Sequence, residues 1–180
     1  MDGIPMFGSG HLFGFLSPYQ PNSLRDVQFY RGPAPARYGG RASSVTDVSM
    51  REGSTKEFNG EMGINLLDIF LNANGPLDRE GKLTLNVGLR KSWLDVLTRS
   101  NENSALNFGF HDVNGKLVYR PSQYSKLSVW VYNGRDKYGL NFGDSAFIDS
   151  SNVTQAEHYK LQTKWQSTIT GINYSARLNK

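Results

Sequence analysis

Apolar and polar residues alternate with a period of two along most of the chain, which predicts β-strands rather than helices. The alternation is unbroken over residues 83–90, where Leu, Leu, Val and Leu alternate with Thr, Asn, Gly and Arg. The segment 127–132 is apolar at nearly every position, so the pattern leaves its orientation open. The strands predicted after residue 54 are seven, at about residues 58–65, 67–74, 83–90, 113–120, 127–132, 159–166 and 172–179.

The predicted connections between these strands differ in length. Turns are predicted at 75–81, 121–125 and 167–171, a very short connection near 65–67, and longer connections at 95–107 and 137–156. Outer-membrane barrels have this arrangement, with short periplasmic turns and longer extracellular loops. A water-soluble β-sandwich has the same alternation of faces, so the pattern alone leaves both architectures open.

Charged and aromatic residues within the strands bear on that choice. A water-filled lumen would suit inward-facing cations, and we expect five of them to face inward: Lys116, Arg120, Lys160, Lys164 and Arg177. Tyr159 and Trp165 bracket Leu161 and Thr163 on one predicted face. Such a pair is typical of an aromatic girdle at a membrane interface, and equally of ordinary cross-strand packing.

The stretch 26–53 has a different organisation. It predicts a strand over 27–31, a Gly/Pro-rich turn region over 32–41 and a second strand over 45–51. Pro33 cannot donate to a ladder, residues 34–38 can form one helical turn, and Gly39-Gly40 permits a positive φ. The spacing alone fits a β-turn-β unit of any α+β domain.

Sequence motifs in this stretch are more specific than the spacing. Gly32-Pro33, the run Tyr38-Gly39-Gly40-Arg41 and the run from Ser43 to Val48 resemble the end of the plug domain of TonB-dependent outer-membrane receptors of the Bacteroidetes type. Asp2-Gly3-Ile4-Pro5 is similar to the "DGIP" strand end of that plug, and 24–27 to the segment before its "EVxxGP" strand. The resemblance covers about residues 1–92 by motif and the rest by strand pattern only.

The resemblance implies a mainly β fold in two parts. Residues 1–53 would be the C-terminal half of an α+β plug. Residues 54–180 would be about seven antiparallel strands of an incomplete transmembrane β-barrel. The chain begins inside a plug motif and shows no secretory signal, so we expect a fragment of a longer receptor.

The resemblance also suggests which residues are functional. The plug loop on the extracellular side would contact a ligand through His11, Phe13, Phe15 and Tyr19, unless these rings pack beneath the loop. The plug turn would be shaped by Gly32, Tyr38, Gly39, Gly40 and Arg41. Arg31, Arg37 and Arg41 would pair with carboxylates on the barrel wall, the alternative being plain solvated charge.

Composition narrows the function further. Hydrophobic residues make up 38% of the chain, aromatic residues 12%, and 19 residues are glycine, which suits strands whose two faces meet different media. The absence of cysteine excludes a disulfide framework and a thiolate metal site. The net charge of +4 is dispersed, so a nucleic-acid partner is not expected.

No enzyme motif is present. There is no phosphate-binding loop and no Gly-x-Ser-x-Gly elbow. The histidines, His11, His111 and His158, lie far apart and are predicted to be surface or loop residues rather than metal ligands. We therefore expect neither an enzyme nor a cofactor.

The sequence thus favours part of a receptor in the outer membrane of a Gram-negative bacterium. The family implies binding of a scarce solute, of the siderophore, cobalamin, oligosaccharide or peptide class, and its import when the TonB complex pulls on the plug. Its partners would be that solute, the TonB energy-coupling complex, outer-membrane lipid and, in some members, a surface lipoprotein. The alternative is a secreted or surface β-rich binding module without transport activity.

The receptor hypothesis predicts how the isolated 180-residue chain behaves. Its sheet would have two open edges, and unpaired strand edges template aggregation. We expect the chain to aggregate or to need detergent in size-exclusion chromatography. A soluble monomer that unfolds cooperatively would contradict this expectation.

Overall fold

The fold is mainly β, as the alternation predicts. The computed structural model describes residues 1–7, 10–32, 34–40, 44–93, 106–148 and 154–177. Within these ranges, no helix has the length and apolar content needed to cross a membrane. Short 3₁₀ turns lie at Leu12–Gly14, Pro21–Ser23 and Ala36–Tyr38. The strands are β1 (Leu24–Arg31), β2 (Ser44–Met50), β3 (Asn59–Ile64), β4 (Asp68–Pro76), β5 (Leu83–Ser92), β6 (Leu106–Ser122), β7 (Ser125–Ile148) and β8 (Thr154–Ala176).

The first sheet is the antiparallel pair β1–β2. Both strands are predicted from the sequence, although β1 begins three residues earlier, at Leu24. The 3₁₀ turn Ala36–Tyr38 confirms the predicted helical turn between them. Gly40 has the expected positive φ of 78°, whereas Gly39 has a φ of −56°. This small sheet and the residues before it form the N-terminal segment, residues 1–53.

The second sheet is an up-and-down meander in the order β3-β4-β5-β6-β7-β8. Each strand is antiparallel to the next. Three connections are as short as predicted, namely those between Ile64 and Asp68, between Pro76 and Leu83, and between Ser122 and Ser125. Strands that are consecutive in the sequence are therefore also adjacent in the sheet. β3 and β8 are its outermost strands.

The predicted turn at 167–171 is wrong. β8 runs through it without interruption, so the second sheet has six strands in the described part of the chain rather than about seven. Thr168, Ile169 and Thr170 are β-branched residues that favour strands. Gly171 provides close approach rather than a bend, because a Cβ there would lie 2.4 Å from the indole ring of Trp130.

The predicted connection at 137–156 is also wrong over most of its length. β7 continues to Ile148 and β8 begins at Thr154, which makes these strands 24 and 23 residues long. Residues 133–137 of β7 are Asn, Gly, Arg, Asp and Lys, so the apolar alternation stops there while the backbone ladder continues. Most of the connection predicted at 95–107 lies outside the described residues, and its last two residues belong to β6.

The six-stranded sheet buries its polar face, the one that carries its charged and amide side chains; the same face also carries the buried residues Phe108, Phe110, Val118, Trp130, Tyr132 and Tyr138. On β5, Thr84 and Asn86 have no exposed surface, while Leu89, on the opposite face of the strand, is 40% exposed. β6 and β7 repeat this arrangement, with Asp112, Asn114, Lys116, Ser128 and Asp136 buried. The opposite face carries an exposed apolar band, whose members include Leu71, Leu89, Val113, Leu117, Leu127, Val129, Val131, Ile172 and Tyr174.

The N-terminal segment covers the polar face. Met1 and Met50 form one buried cluster with Trp130 and Tyr132 of β7. A second cluster contains Phe108, Phe110 and Tyr138, with Leu12 and Leu16 packed against it. This arrangement orients the ambiguous segment 127–132. Trp130 and Tyr132 face the N-terminal segment, and Leu127, Val129 and Val131 face outward. We call the covered side the inner face and the apolar side the outer face.

The placement of β8 corrects two further expectations. Lys137 is the partner of Lys164, and Asp136 is the partner of Trp165. Since Asp136 lies on the inner face, Trp165 does too, and Lys160 and Lys164 lie on the outer face. The prediction put these three side chains on the opposite faces because it treated 159–166 and 172–179 as separate strands. Lys116 and Arg120 are on the inner face as predicted, and Arg177 follows the end of β8.

The contact between Gly171 and Trp130 generates a test of the continuous strand. A Gly171→Ala substitution should lower the free energy of unfolding by about 1–3 kcal/mol, the usual cost of overpacking a filled site. Gly115→Ala is the matched control, because a Cβ there meets Val131 at an ordinary 3.6 Å. Denaturant unfolding in detergent measures both variants. Equal stabilities would show that residue 171 does not pack against the indole ring.

Candidate functional site

A buried network of charged and aromatic side chains lies where the N-terminal segment meets the sheet. Its members come from distant parts of the chain, and most are almost completely buried. The network, which we call the His11 cluster, consists of His11, Arg90, Asp112, Tyr132, Asp136 and Tyr138.

A tight loop of the N-terminal segment presents His11 to the sheet. The backbone amides of His11 and Leu16 each donate to the carbonyl oxygen of the other, at 2.9 Å and 3.1 Å. The 3₁₀ turn Leu12–Gly14 closes the loop between them. Leu12 and Leu16 pack against the aromatic cluster of β6 and β7. The loop is therefore anchored by apolar contacts in addition to the imidazole.

The imidazole ring of His11 bridges two carboxylates. Its Nδ1 lies 2.8 Å from Asp136 Oδ1, and its Nε2 lies 2.7 Å from Asp112 Oδ1. The ring also stacks on Phe110, with centroids 4.3 Å apart and planes inclined by 14°. A carboxylate can only accept, so this geometry is satisfied when both ring nitrogens donate and the imidazole is positively charged.

Both carboxylates have further partners. Arg90 donates to Asp112 Oδ2 through Nε at 2.7 Å and through Nη2 at 2.5 Å. Asp136 accepts from the Tyr138 hydroxyl at 3.2 Å and from Trp165 Nε1 at 3.0 Å. Two positive and two negative charges thus balance within the cluster. Such pairing is what makes a buried charge tolerable.

The charge balance determines the protonation state of His11. Burial by itself would lower the pKa of the imidazole, but the hydrogen bonds and negative charges of Asp112 and Asp136 outweigh it and raise the pKa to about 9. His11 therefore carries its positive charge throughout the neutral range. The imidazolium holds the N-terminal loop against β6 and β7.

Two smaller ion-pair groups hold other parts of the N-terminal segment. The buried Lys116 of β6 donates to Asp2 Oδ2 at 3.0 Å. Glu52 accepts from Arg120 at 2.5 Å and from Lys126 at 2.8 Å. Burial would raise the pKa of Glu52, but Lys126 and the neighbouring cations outweigh it and hold that pKa below its usual range. The segment is thus tied to the inner face near its beginning, near its end and at His11.

Close packing at Gly88 shows how tightly the segment sits on the sheet. A Cβ at this position would lie 2.2 Å from the Ser23 hydroxyl and 2.5 Å from Gln20 Oε1. Asn72 of β4 donates to the same Ser23 hydroxyl at 2.8 Å. Only a residue without a side chain leaves room for these polar contacts. The 3₁₀ turn Pro21–Ser23 therefore docks directly on the strand backbone.

A cavity of ≈ 380 Å³ opens beside the His11 cluster. It lies between the N-terminal loop and the inner faces of β7 and β8, and Phe7, His11, Asp136 and Trp165 line it. Its wall combines an aromatic ring with a carboxylate, a combination suited to holding a polar solute. The predicted ligand loop borders this cavity through His11 and Pro18.

The four predicted ligand-binding residues have different environments. His11 is 2% exposed with both ring nitrogens engaged, so it lies in a loop, as expected, but not at the surface. Tyr19 is partly buried against the cluster around Met50. Phe15 is 84% exposed. The side chain of Phe13 lies outside the described part, and contact of these residues with a ligand stays a prediction.

The predicted plug-turn residues lie together at the exposed end of the β1–β2 hairpin. Arg37 stacks on the ring of Tyr38 and donates to its hydroxyl at 2.9 Å. The Tyr38 hydroxyl in turn donates to Asp47. Arg31 lies over the ring of Phe29. Gly32, Gly39 and Gly40 shape the ends of this turn, whereas Arg41 is outside the described residues.

The described docking ion pairs therefore differ from those that sequence reasoning selected. In the described ranges they connect His11 with Asp112 and Asp136, Asp2 with Lys116, and Glu52 with Arg120 and Lys126. The only sequence signal was the presence of charges at inner positions of the strands. Which residue of the N-terminal segment would meet them could not be read from spacing.

Comparison with known proteins gives no independent identification: no family model, curated protein or solved structure matches the chain. Within the described residues, no group of three or more His, Cys, Asp or Glu side chains is arranged to hold a metal ion. The functional interpretation therefore rests on the chain itself.

The raised pKa of His11 predicts that docking of the N-terminal segment depends on pH. Because the folded pKa is above the unfolded one, the stabilisation is complete below about pH 6.5 and is lost as the pH rises through about 9. A shift of this size corresponds to on the order of 3 kcal/mol. Proteolysis of the N-terminal segment should therefore accelerate between pH 7 and pH 10.

Two variants isolate the contribution of His11. His11→Gln should be cleaved faster at pH 7 and should lack most of the acceleration at high pH. Phe15→Ala changes an exposed residue of the same loop and should behave as the unchanged protein does. If His11→Gln retained the full pH dependence, another group, such as the α-amino group of Met1, would have to be responsible.

Proposed function

We propose that the chain is part of an outer-membrane receptor that binds a scarce solute and imports it by TonB-energised rearrangement of its plug. The observation that carries the proposal is the inverted sheet, which buries polar side chains under the N-terminal segment and exposes a band of apolar ones. A water-soluble sheet places its faces the other way. A sheet with lipid outside and a polar plug inside has this arrangement.

The dimensions of the sheet support the same proposal. β7 and β8 have 24 and 23 residues, whereas strands of globular proteins usually have about 3–10. Long strands that continue beyond the apolar band are typical of barrels with extended extracellular walls.

The contacts of the N-terminal segment suit a plug that has to move. They are mainly ion pairs and hydrogen bonds, at His11, Asp2 and Glu52, with two small apolar clusters. An interface of this kind is specific, and it can be opened by replacing each ion pair with hydration. We infer that force on the N-terminal side separates these contacts in sequence and opens a path past the His11 cluster.

The cavity beside His11 is the proposed place for solute contact. Solute would approach from the side of the long β7–β8 hairpin, which is opposite the short turns. The exposed Phe15 belongs to the loop that borders this cavity through His11, in keeping with the predicted ligand loop. The solute class, whether siderophore, cobalamin, oligosaccharide or peptide, follows only from the family resemblance, as do the TonB complex and the surface lipoprotein as partners.

The alternative is a secreted or surface β-rich binding module. Its specific support is the aromatic loop at 11–19, which any binding protein could use. A module that buried its outer apolar face would need a second layer over it, and without such a layer that face would meet water. In the described part of the chain no such layer covers it.

A charge placed on the outer face separates the two proposals. In lipid, Val129→Arg should cost about 2–4 kcal/mol of folding free energy, as cationic residues do near the middle of a bilayer. In a water-soluble module the same change at a residue that is 42% exposed should stay within about 0.5 kcal/mol. Leu77→Arg, in the β4–β5 turn and 51% exposed, is the matched control.

The measurement is urea unfolding after refolding into phosphatidylcholine vesicles. A large loss for Val129→Arg with little loss for Leu77→Arg supports a lipid-facing band. Equal and small losses would favour the binding module.

Transport itself is tested in cells. Deletion of the gene, or of the TonB complex, should abolish growth on the same limiting nutrient. Uptake that persists without the TonB complex would contradict the proposed energy coupling.

A further inference from the structure

A group of basic side chains lies on the outer face directly beyond the apolar band. Lys91 of β5, His111 of β6 and Arg135 of β7 are successive partners across the sheet. Lys137 and Lys164 are partners on β7 and β8, two positions further along. These five residues, which we call the outer basic patch, surround a shallow hollow of ≈ 300 Å³ whose lining also includes Gly109, Phe110 and the buried Asp136.

No carboxylate side chain among the described residues lies beside the outer basic patch on its own face. On the outer face of β4–β8 the described side chains include no Asp or Glu, because Asp68, Asp112 and Asp136, the carboxylates of these strands whose side chains are described, are buried on the inner face. In contrast, the cations of the inner face, Arg90 and Lys116, are paired with carboxylates. The separation of charge between the two faces is therefore systematic.

Within the patch, Lys137 and Lys164 lie directly opposite each other. Like charges at opposite positions of an antiparallel pair destabilise the sheet. A bound anion between them would turn this repulsion into attraction. Violations of a local rule that have no internal compensation are typical of functional sites.

The position of the patch selects the anion. Leu89 and Val113, the last apolar outer residues of β5 and β6, are immediately followed along their strands by Lys91 and His111. The patch therefore lies at the level where head groups begin, on the side of the long β7–β8 hairpin. That side is extracellular when the short turns are periplasmic. Clusters of Lys and Arg at this level bind anionic lipid head groups.

We propose that the outer basic patch binds the phosphorylated head group of a glycolipid in the outer leaflet. The inference rests on the proposed membrane location and adds a lipid site that solute import does not require. The lipid's acyl chains lie along the apolar band, and its phosphate lies in the hollow over Gly109, between Arg135 and the two opposed lysines.

The test uses the protein expressed from its native gene and purified in detergent, with lipid A as the probe. Native mass spectrometry measures the affinity and the number of lipid A molecules bound. The variant is Lys91→Gln, Arg135→Gln and Lys137→Gln combined. Its control, Lys56→Gln, Arg79→Gln and Lys82→Gln, removes the same charge from exposed residues outside the patch.

The variant should bind lipid A roughly a hundredfold more weakly, because each Lys or Arg near an anionic surface contributes a factor of about five. The control should bind as the unchanged protein does. Dephosphorylated lipid A should bind weakly to all three. Equal binding by variant and control, or by phosphorylated and dephosphorylated lipid, would overturn the site. Full displacement of lipid A by equimolar inorganic phosphate would indicate a free-anion site instead and would also overturn it.

A single substitution adds a readout that does not depend on the triple variant. Lys137→Gln removes the like-charge pair, so without lipid it should raise the unfolding midpoint slightly while weakening lipid A binding. A lower midpoint would contradict the repulsion argument. Val129→Arg tests the membrane location separately. If that substitution is strongly destabilising in lipid but lipid A binding does not depend on phosphate, only the lipid site is contradicted. If Val129→Arg is tolerated, the receptor proposal is contradicted as well.

Discussion

The structure depends on the need to pair charges on a buried sheet face. Arg90, Asp112, Lys116 and Asp136 are all at most 9% exposed, and a buried charge without a partner costs several kcal/mol. The sheet meets part of this need by itself, through the two hydrogen bonds that Arg90 donates to Asp112 Oδ2. The N-terminal segment meets the rest, through His11 and Asp2. Separating the segment from the sheet would therefore leave charged side chains on both without their partners.

The same constraint explains why the medium matters for this chain. With polar groups inside, the ordinary contribution of apolar burial, about 25 cal/mol per Å², is largely unrealised on the outer face. A lipid environment would supply it without any further protein layer. In water that face would remain an unfavourable surface beside two strands with open edges. The proposed location and the inverted sheet are thus two aspects of one physical arrangement.

Opposite faces of single strands carry the different proposed roles. On β7, Asp136 faces inward to His11, while its neighbours Arg135 and Lys137 face outward to the outer basic patch. Because side chains alternate along a strand, changes at one face can be made with little effect on the other. The proposed lipid contact and the docking of the N-terminal segment can therefore be changed by substitutions at different positions of the same strand.

The sequence by itself determined the strand character, the β1–β2 hairpin, the three short connections of the meander and the alternation of faces over 83–90, because these follow from local periodicity and turn chemistry. It misplaced the turn at 167–171, since a glycine that accommodates Trp130 looks the same as a glycine that bends the chain. It could not reveal that His11 bridges Asp112 and Asp136, which are 101 and 125 residues away. Only the tertiary structure decided which face is covered, because alternation specifies two faces without saying which one meets protein.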